Sequence, residues 1–364
     1  MKLVGNKKIV LDKPGTVKII PEEPDDLWSL YNLIVPGDTI TTTSSRKIHH
    51  DSGKITGAAR VKLSLEIKIT SVDYDKVSST VRVQGKNVTA NEHVATGSFH
   101  TLTLEKNKEF VLTKKVWDSV AFDTLREGCN VSSSADLAVV LMQQGLANVF
   151  LVGKRVTTLC AKINGSSNNK FFENVFGAFV KHVDFNTIRC VVIGSPGSVK
   201  DEFRRFILSE AQRLKLKSIE DNKSRIVVAN ISQRNTHDLN EVLNDNAVLS
   251  MIKDTKVVPE IRVFKEFLDV LKSNSDRACY GSKSVETAHE MLAIETLLIT
   301  DDLFRNAEIE MRHKYVGLVK SVKKAGGKVF VFSSIHVSGE ELAKLTGIGA
   351  ILRFPLPDLD EMDM

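Results

Sequence analysis

The stretch GSPGS at positions 194–198 is a place where residue types and spacing could do chemistry. It follows the apolar run VVI and precedes VKDEFRRFIL, and a glycine-rich turn entering a helix can cradle phosphate on its backbone N–H groups. A Walker A loop requires GxxxxGK followed by Ser or Thr, and a dinucleotide site requires GxGxxG. Neither is present. Ser198, with Asp201 three residues on, has the spacing of a helix N-cap, and Pro196-Gly197 suits a turn. The economical reading is a strand–turn–helix connection.

Metal and acid–base chemistry have weaker signals. His49-His50 stand beside Asp51 in a polar stretch and could ligate a metal. His237-Asp238 fit a helix cap as well as any ligand set. The acidic group Glu22, Glu23, Asp25 and Asp26 could recruit a divalent cation, but a helix start favours carboxylates through its dipole. No HExxH, GxSxG or triad spacing occurs. The four cysteines, Cys129, Cys160, Cys190 and Cys279, lie at least 30 residues apart, so they form no CxxC site and read as reduced thiols.

One stretch reads as a polyanion contact. Residues 41–62, TTTSSRKIHHDSGKITGAARVK, are read as a polar connection between two strands, carrying Arg46, Lys47, His49, Lys54, Arg60 and Lys62. Basic side chains there suit a phosphate backbone without reading sequence. A solvated hairpin tip is the competing reading, and both stay open on this stretch alone. Charge along the chain is uneven: net +3 over residues 1–130, +5 over 131–258 and −3 over 259–364. The first two thirds suit a polyanionic partner better than the last third does. No run of 18 apolar residues exists, so no membrane partner is expected, and the N-terminus has no long apolar h-region of a secretory signal.

Three patterns of elements position these residues. Residues 1–130 read as a small β-barrel domain. VKLSLEIKI at 61–69 alternates apolar and polar residues, STVRVQG and HTLTLEKN alternate too, and one helix interrupts them with Leu27, Leu30, Tyr31 and Ile34 on its apolar stripe. A Ser-rich break follows at 126–136. Residues 131–258 read as an α/β domain with a mostly parallel sheet. Here SADLAVVLMQQG is expected to be helical, NVFLVG, RCVVIG and SRIVVAN to be strands, and KFFENVFGAFVKHV to be a helix with Phe172, Val175, Phe176, Phe179 and Val180 along one stripe. Residues 259–364 read as an α/β sandwich built on ETLLIT, KVFVFS and GAILRF, with a helix carrying Tyr315, Leu318, Val319 and Val322. A capping box is expected at Ser338 and Glu341, and the end, PDLDEMDM, as an acidic tail.

Several strings in order resemble one family, Pelota, relatives of translation release factors: IPEEPDDLWSLYNLIVPGD, SSRKI, KKVWDS, HVDFNTIRCVVIGSPG, DRACYGSKSVETAHEMLAIETLLITDDLFR and FSSIHVSGEELAKLTGIGAILRFP. The resemblance covers nearly the whole chain. It implies an Sm-like β-barrel, a central release-factor-like α/β domain and a C-terminal α/β domain like those of kink-turn-binding ribosomal proteins. It also implies binding to the A site of stalled ribosomes, with mRNA and rRNA contacts, an elongation-factor-like GTPase partner and a recycling ABC ATPase that splits the subunits, in no-go and non-stop mRNA decay. Location would be cytoplasmic, with a nuclear fraction compatible.

Three departures matter. The Gly-Gly-Gln tip of release factors is missing, since the single Gly-Gly pair, Gly326-Gly327, precedes Lys328. Family members usually carry Pro-Gly-Phe where this chain has Pro196-Gly197-Ser198, in a loop, Ser195 to Ser198, that the resemblance assigns to the GTPase partner. The basic insertion expected after residue 160 shrinks to NGSSNNK. The chain thus resembles a plant-like divergent paralogue: a non-enzymatic rescue factor without cofactors. The alternatives are a regulator with weakened GTPase coupling and a metal-dependent mRNA endonuclease.

Overall fold

The computed structural model describes residues 1–5, 9–49, 58–75, 78–89, 94–129, 135–143, 145–165, 168–231, 239–305 and 309–357. The chain divides into two compact units, Met1–Ser133 with Phe304–Gly317, and Ser134–Leu303 with Leu318–Met364. The acidic end from position 358, His50, Asp51 and His237-Asp238 lie outside the described residues.

The first unit contains β1 (Lys2–Val4), β2 (Gly15–Ile20), α1 (Pro24–Leu33), β3 (Thr39–His49), β4 (Ala58–Asp75), β5 (Thr80–Asn87), β6 (Phe99–Leu104), β7 (Phe110–Lys114) and α2 (Ser119–Gly128). The strands form one antiparallel sheet in the order β1-β2-β7-β3-β4-β5-β6. It curls around a single core, because inward residues of β2, β3, β4, β5, β6 and β7 all join one apolar cluster with α1. The alternation in β4 holds: Leu65, Ile67 and Ile69 are buried while Ser64 and Lys68 are exposed. Two helices are present where the sequence reading has one. The second, α2, is capped by Asp118, whose carboxylate accepts the Ala121 N–H at 2.8 Å.

The expectation of a polar connection over residues 41–62 is corrected. Residues 41–49 and 58–62 are the arms of a long hairpin, within β3 and β4. Their Thr and Ser side chains hide the apolar alternation that marks a strand, while β-branched residues favour one.

Buried charge organises the start and end of α1. Asp26 accepts the N–H groups of Glu22 and Glu23 at 2.8 and 3.0 Å and pairs with the Met1 ammonium at 2.7 Å. A capping role therefore explains this carboxylate. At the other end, buried Lys114 donates to the Leu33 carbonyl at 2.8 Å and pairs with Asp38, which accepts the Val35 N–H at 2.9 Å.

The second unit carries two sheets. The first comprises β8 (Leu137–Gln143), β9 (Leu146–Val152), β10 (Thr157–Asn164), β11 (Cys190–Ser195) and β12 (Ile226–Asn230), with α3 (Asn168–His182), α4 (Val199–Leu214), α5 (Lys217–Glu220), α6 (Leu239–Asn244) and α7 (Asn246–Met251). The order is β10-β9-β8-β11-β12. Two expectations fail here. The segment expected to be helical is β8, and the sheet is half antiparallel, since β8, β9 and β10 run as a meander while β8, β11 and β12 are parallel. The cause is two-sided burial. Ala138, Val140 and Met142 face one core with α3 and α4, and Leu137, Val139 and Leu141 face another with α6 and α7. A continuous apolar run has no strand alternation to read. The stripe of α3 holds at Val175, Phe176 and Phe179, with Phe172 partly buried, and differs at its ends, where Phe171 is buried and Val180 exposed.

The second sheet is built from β13 (Ala278–Tyr280), β14 (Ile294–Thr300), β15 (Lys328–Phe332) and β16 (Ile348–Leu352), in the order β13-β16-β14-β15. Its helices are α8 (Val258–Ser273), α9 (Ser282–Glu290) and α11 (Val337–Leu345), while α10 (Ile309–Lys324) is divided, its residues to Gly317 belonging to the first unit and those from Leu318 to the second. Helix α8 serves both cores of this unit: Val258 and Ile261 join the first sheet's cluster, and Phe264 and Phe267 the second's. The stripe of α10 is buried as expected.

The expected capping box at Ser338 and Glu341 is replaced by His336, which is the N-cap of α11. Its Nδ1 accepts the Ser338 N–H at 3.4 Å and lies 3.0 Å from the Ser338 hydroxyl. The imidazole is fully buried, and desolvation pushes its pKa down to about 4. The folded state therefore binds its proton later than the unfolded chain, whose histidine has a pKa of about 6.5. This contribution to stability is complete above that value and falls as pH drops toward 4. The loss should reach roughly 2 kcal/mol by about pH 5. Urea denaturation across this range, with His336→Asn as the non-titrating cap, should show a flatter pH dependence in the variant.

Candidate functional site

The connection after β11 is built from the backbone outward. Gly194 has no room for a side chain, because a Cβ there would lie 2.5 Å from Ile231 Cδ1. The strand can thus run close under its neighbours to its last residue. Ser195 is fully buried, and its Oγ accepts the Lys200 N–H at 2.8 Å. This hydroxyl satisfies a first-turn donor of α4 that has no partner within the helix. Gly197 turns the chain at a φ of +67°, and Ser198 lies exposed.

The expectation that Ser198 caps α4 with Asp201 is corrected. Ser198 makes no side-chain cap bond. Its hydroxyl donates to Glu202 Oε1 at 2.7 Å on the surface. Ser195 performs the cap from inside the fold, three residues earlier than the usual sequence signature places it. Lys200 is also buried, with Nζ bonded to the Gly197 carbonyl and 3.7 Å from Asp201. The one lysine at this turn is therefore committed to closing the loop. Pro196 is half-buried, Gly197 and Ser198 are exposed, and the turn has no lysine side chain left for a phosphate.

The hairpin supplies the second feature. Arg46, Lys47 and His49 lie in β3, and Arg60 and Lys62 in β4. The register sets Lys47 opposite Arg60, Ser45 opposite Lys62 and Arg46 opposite Val61. With a two-residue pleat, positions 47, 49, 60 and 62 share one face of the ribbon and position 46 lies on the other. Lys54 lies outside the described residues. The ribbon thus sets basic positions from the two arms of this one stretch on a common face.

Among the described residues no group of three His, Cys, Asp or Glu side chains could hold a metal ion. The described cysteines are free thiols, and burial raises the pKa of Cys129 and Cys160, and of Cys190 to about 11. Gly326-Gly327 closes the turn from α10 into β15, with Gly326 at a φ of +78°. Among the described residues no helix is long and apolar enough to cross a membrane.

The comparisons agree with this architecture. Residues 1–129 match the Pelota N-terminal domain, 164–254 match eRF1 domain 2 and 257–356 match eRF1 domain 3. An N-terminal β domain, a central α/β domain and a C-terminal α/β domain in this order define a translation factor with a release-factor-like fold. Protein PELOTA 2 of Arabidopsis thaliana is 47% identical, covering 100% of both chains. Protein pelota of Drosophila melanogaster is 40% identical, covering 100% of this chain and 95% of its own. Among solved structures, Dom34 of S. cerevisiae aligns with a TM-score of 0.59 at 32% identity, covering 99% of this chain and 100% of its own. The Thermoplasma acidophilum Pelota protein shares the fold with a TM-score of 0.69 at 18% identity, over 94% of this chain and 96% of its own. The chain belongs to the Pelota family.

The two serines of the loop should separate in a stability measurement. Ser195→Ala leaves a buried N–H without its acceptor and should cost about 1–3 kcal/mol. Ser198→Ala removes a surface contact and should change stability by less than about 0.5 kcal/mol. Urea denaturation of both variants checks this, and equal losses would contradict the assignment.

Proposed function

We propose that this protein is a release-factor-like ribosome rescue factor. It occupies the empty or blocked A site of a stalled ribosome and promotes separation of the subunits in no-go and non-stop mRNA decay, without releasing the peptide. The observation that carries this reading is the match to a Pelota protein at 47% identity over the whole chain. Dom34, a full-length relative, is a termination-like factor involved in RNA quality control pathways and interacting with Hbs1. This supports an elongation-factor-like GTPase as partner here, with a recycling ABC ATPase completing the splitting.

The loop Ser195 to Ser198 is the proposed contact for the GTPase. Its inner half, Ser195, holds the shape, and its outer half, Pro196 to Ser198, meets the partner. The hairpin bearing Arg46, Lys47, His49, Lys54, Arg60 and Lys62 is the proposed contact for rRNA and mRNA. The factor needs no cofactor or metal and performs no catalysis itself, which agrees with the absence of Gly-Gly-Gln from the sequence. It works in the cytoplasm, where translating ribosomes are. Exposed Ser198, at a place where the family resemblance leads one to expect Phe, favours a second reading in which coupling to the GTPase is weakened and the protein acts as a regulator.

Stalled ribosomes carrying labelled peptidyl-tRNA test the main reading. With GTPase and ABC ATPase present, the subunits should separate while the peptide stays on its tRNA. Peptide release above a buffer control would overturn the non-hydrolytic assignment. Failure to split at saturating GTPase, restored by Ser198→Phe, would favour the regulator.

Neutralising Arg46, Lys47, Lys54 and Arg60 together should weaken ribosome binding and flatten its salt dependence, because each lost phosphate contact removes released counterions. Each contact should contribute on the order of 1 kcal/mol. A salt slope equal to that of the unaltered protein would assign the hairpin to solvent.

A further inference from the structure

The first compact unit holds a cleft of about 540 Å³ that none of the readings above uses. One wall is the end of α1 and the turn after it, with Tyr31, Ile34, Val35 and Pro36. Another is β4, with Thr70, Ser71 and Val72. These walls are mostly apolar, with two hydroxyls among them. The volume falls within the range of small-molecule sites.

The charge of the lining is lopsided. Five Lys and Arg side chains face two Asp, a net +3. The two carboxylates are already engaged: Asp38 pairs with Lys114, and Asp118 pairs with Arg312 at 2.8 Å. Both cations of these pairs are buried, and Arg312 also donates to the Phe304 carbonyl at 2.7 Å. The paired charges are therefore held in place by the fold. Arg305 is oriented too, with its guanidinium 4.7 Å from the Tyr31 ring centroid and 5.0 Å from that of Trp28. Lys68 and Lys115 stand exposed on the same lining.

An apolar-walled cleft with hydroxyls on one wall and surplus cations has the features that a planar ring bearing a phosphate would use. The ring would displace water from the Val35, Pro36 and Val72 surfaces, and the phosphate would take charge-assisted bonds from the lysines. Cations pre-oriented by stacking and hydrogen bonds lose little entropy when the ligand arrives. We propose that this cleft is a binding site for a nucleoside monophosphate, either free or as the 5′-phosphorylated end of an RNA strand. The proposal rests on this unit's own geometry and would stand if the ribosome reading failed.

Isothermal titration of the full chain with AMP, adenosine, inorganic phosphate and a 5′-phosphorylated RNA trinucleotide tests it. AMP should bind at least about tenfold more tightly than adenosine or phosphate, since both halves of the site contribute. Lys68→Glu with Lys115→Glu should weaken AMP binding by about tenfold or more. Ser71→Trp should obstruct the cleft and abolish binding. Lys106→Glu, an exposed change outside the cleft, should leave it unaltered. Thermal melting of each variant shows that loss of binding is not loss of fold. A trinucleotide that binds more tightly than AMP identifies a strand end as the occupant, and AMP binding as tightly identifies the free nucleotide; both uphold the site. Absence of AMP and trinucleotide binding at millimolar concentration would overturn the proposal. So would phosphate binding as tightly as AMP, or binding by the folded Lys68→Glu, Lys115→Glu variant equal to that of the unaltered chain.

Discussion

The first unit depends on a lysine that is almost wholly buried. Lys114 is buried at the end of β7, and desolvation lowers its pKa, while the same effect raises that of Asp38. The pair survives burial because each partner has a second bond: the ammonium to the Leu33 carbonyl, and the carboxylate to the Val35 N–H. One ammonium thus ties the end of α1, the turn into β3 and the end of β7 together. Removing one member of such a pair typically costs about 3–5 kcal/mol, because the other is left buried and uncompensated. Exchanging both for apolar residues can be far cheaper, so the pair argues for a defined geometry more than for stability. What it defines is the floor of a cleft and the root of a basic hairpin.

The second unit solves a similar problem with a hydroxyl. At the end of β11 the chain must leave a sheet buried on both faces and start a helix. Gly194 allows the close approach, and Ser195 satisfies the helix from beneath. The outer residues still shape the turn through their backbone, Gly197 by its positive φ and its carbonyl, which accepts Lys200 Nζ, but the Ser198 side chain makes no capping bond. In both units a satisfied buried polar group fixes backbone that presents an exposed surface.

Strands buried on one face were readable directly. Leu65, Ile67 and Ile69 alternate with polar residues, and that alternation is the sheet's inside and outside. Amphipathic helices were readable for the same reason, as with Tyr315, Leu318, Val319 and Val322. The reading failed where burial was two-sided or where apolar residues were too few to alternate. Residues 137–142 face cores on both sides, so β8 has no alternation and resembles a helix. The hairpin arms at 41–49 and 58–62 carry few apolar side chains and resemble a loop. Caps were misassigned because Ser198 and Ser338 sit at the expected spacing, whereas the side chains that act belong to Ser195 and His336. A local rule cannot know which hydroxyl or imidazole the fold turns inward.

By itself the sequence determined the family, the order of domains, the lack of a Gly-Gly-Gln tip and the basic residues of the hairpin. These follow from residue identity and local periodicity, which are properties of short stretches. Only the tertiary structure decided which carboxylates are occupied by caps, which serine holds the loop, and that Lys47 stands opposite Arg60. It alone brought residues near 31, 70, 115 and 312 around one cleft. Those facts depend on pairing between segments distant in the chain, where hydrogen-bond register and the exclusion of water choose partners that no local pattern encodes.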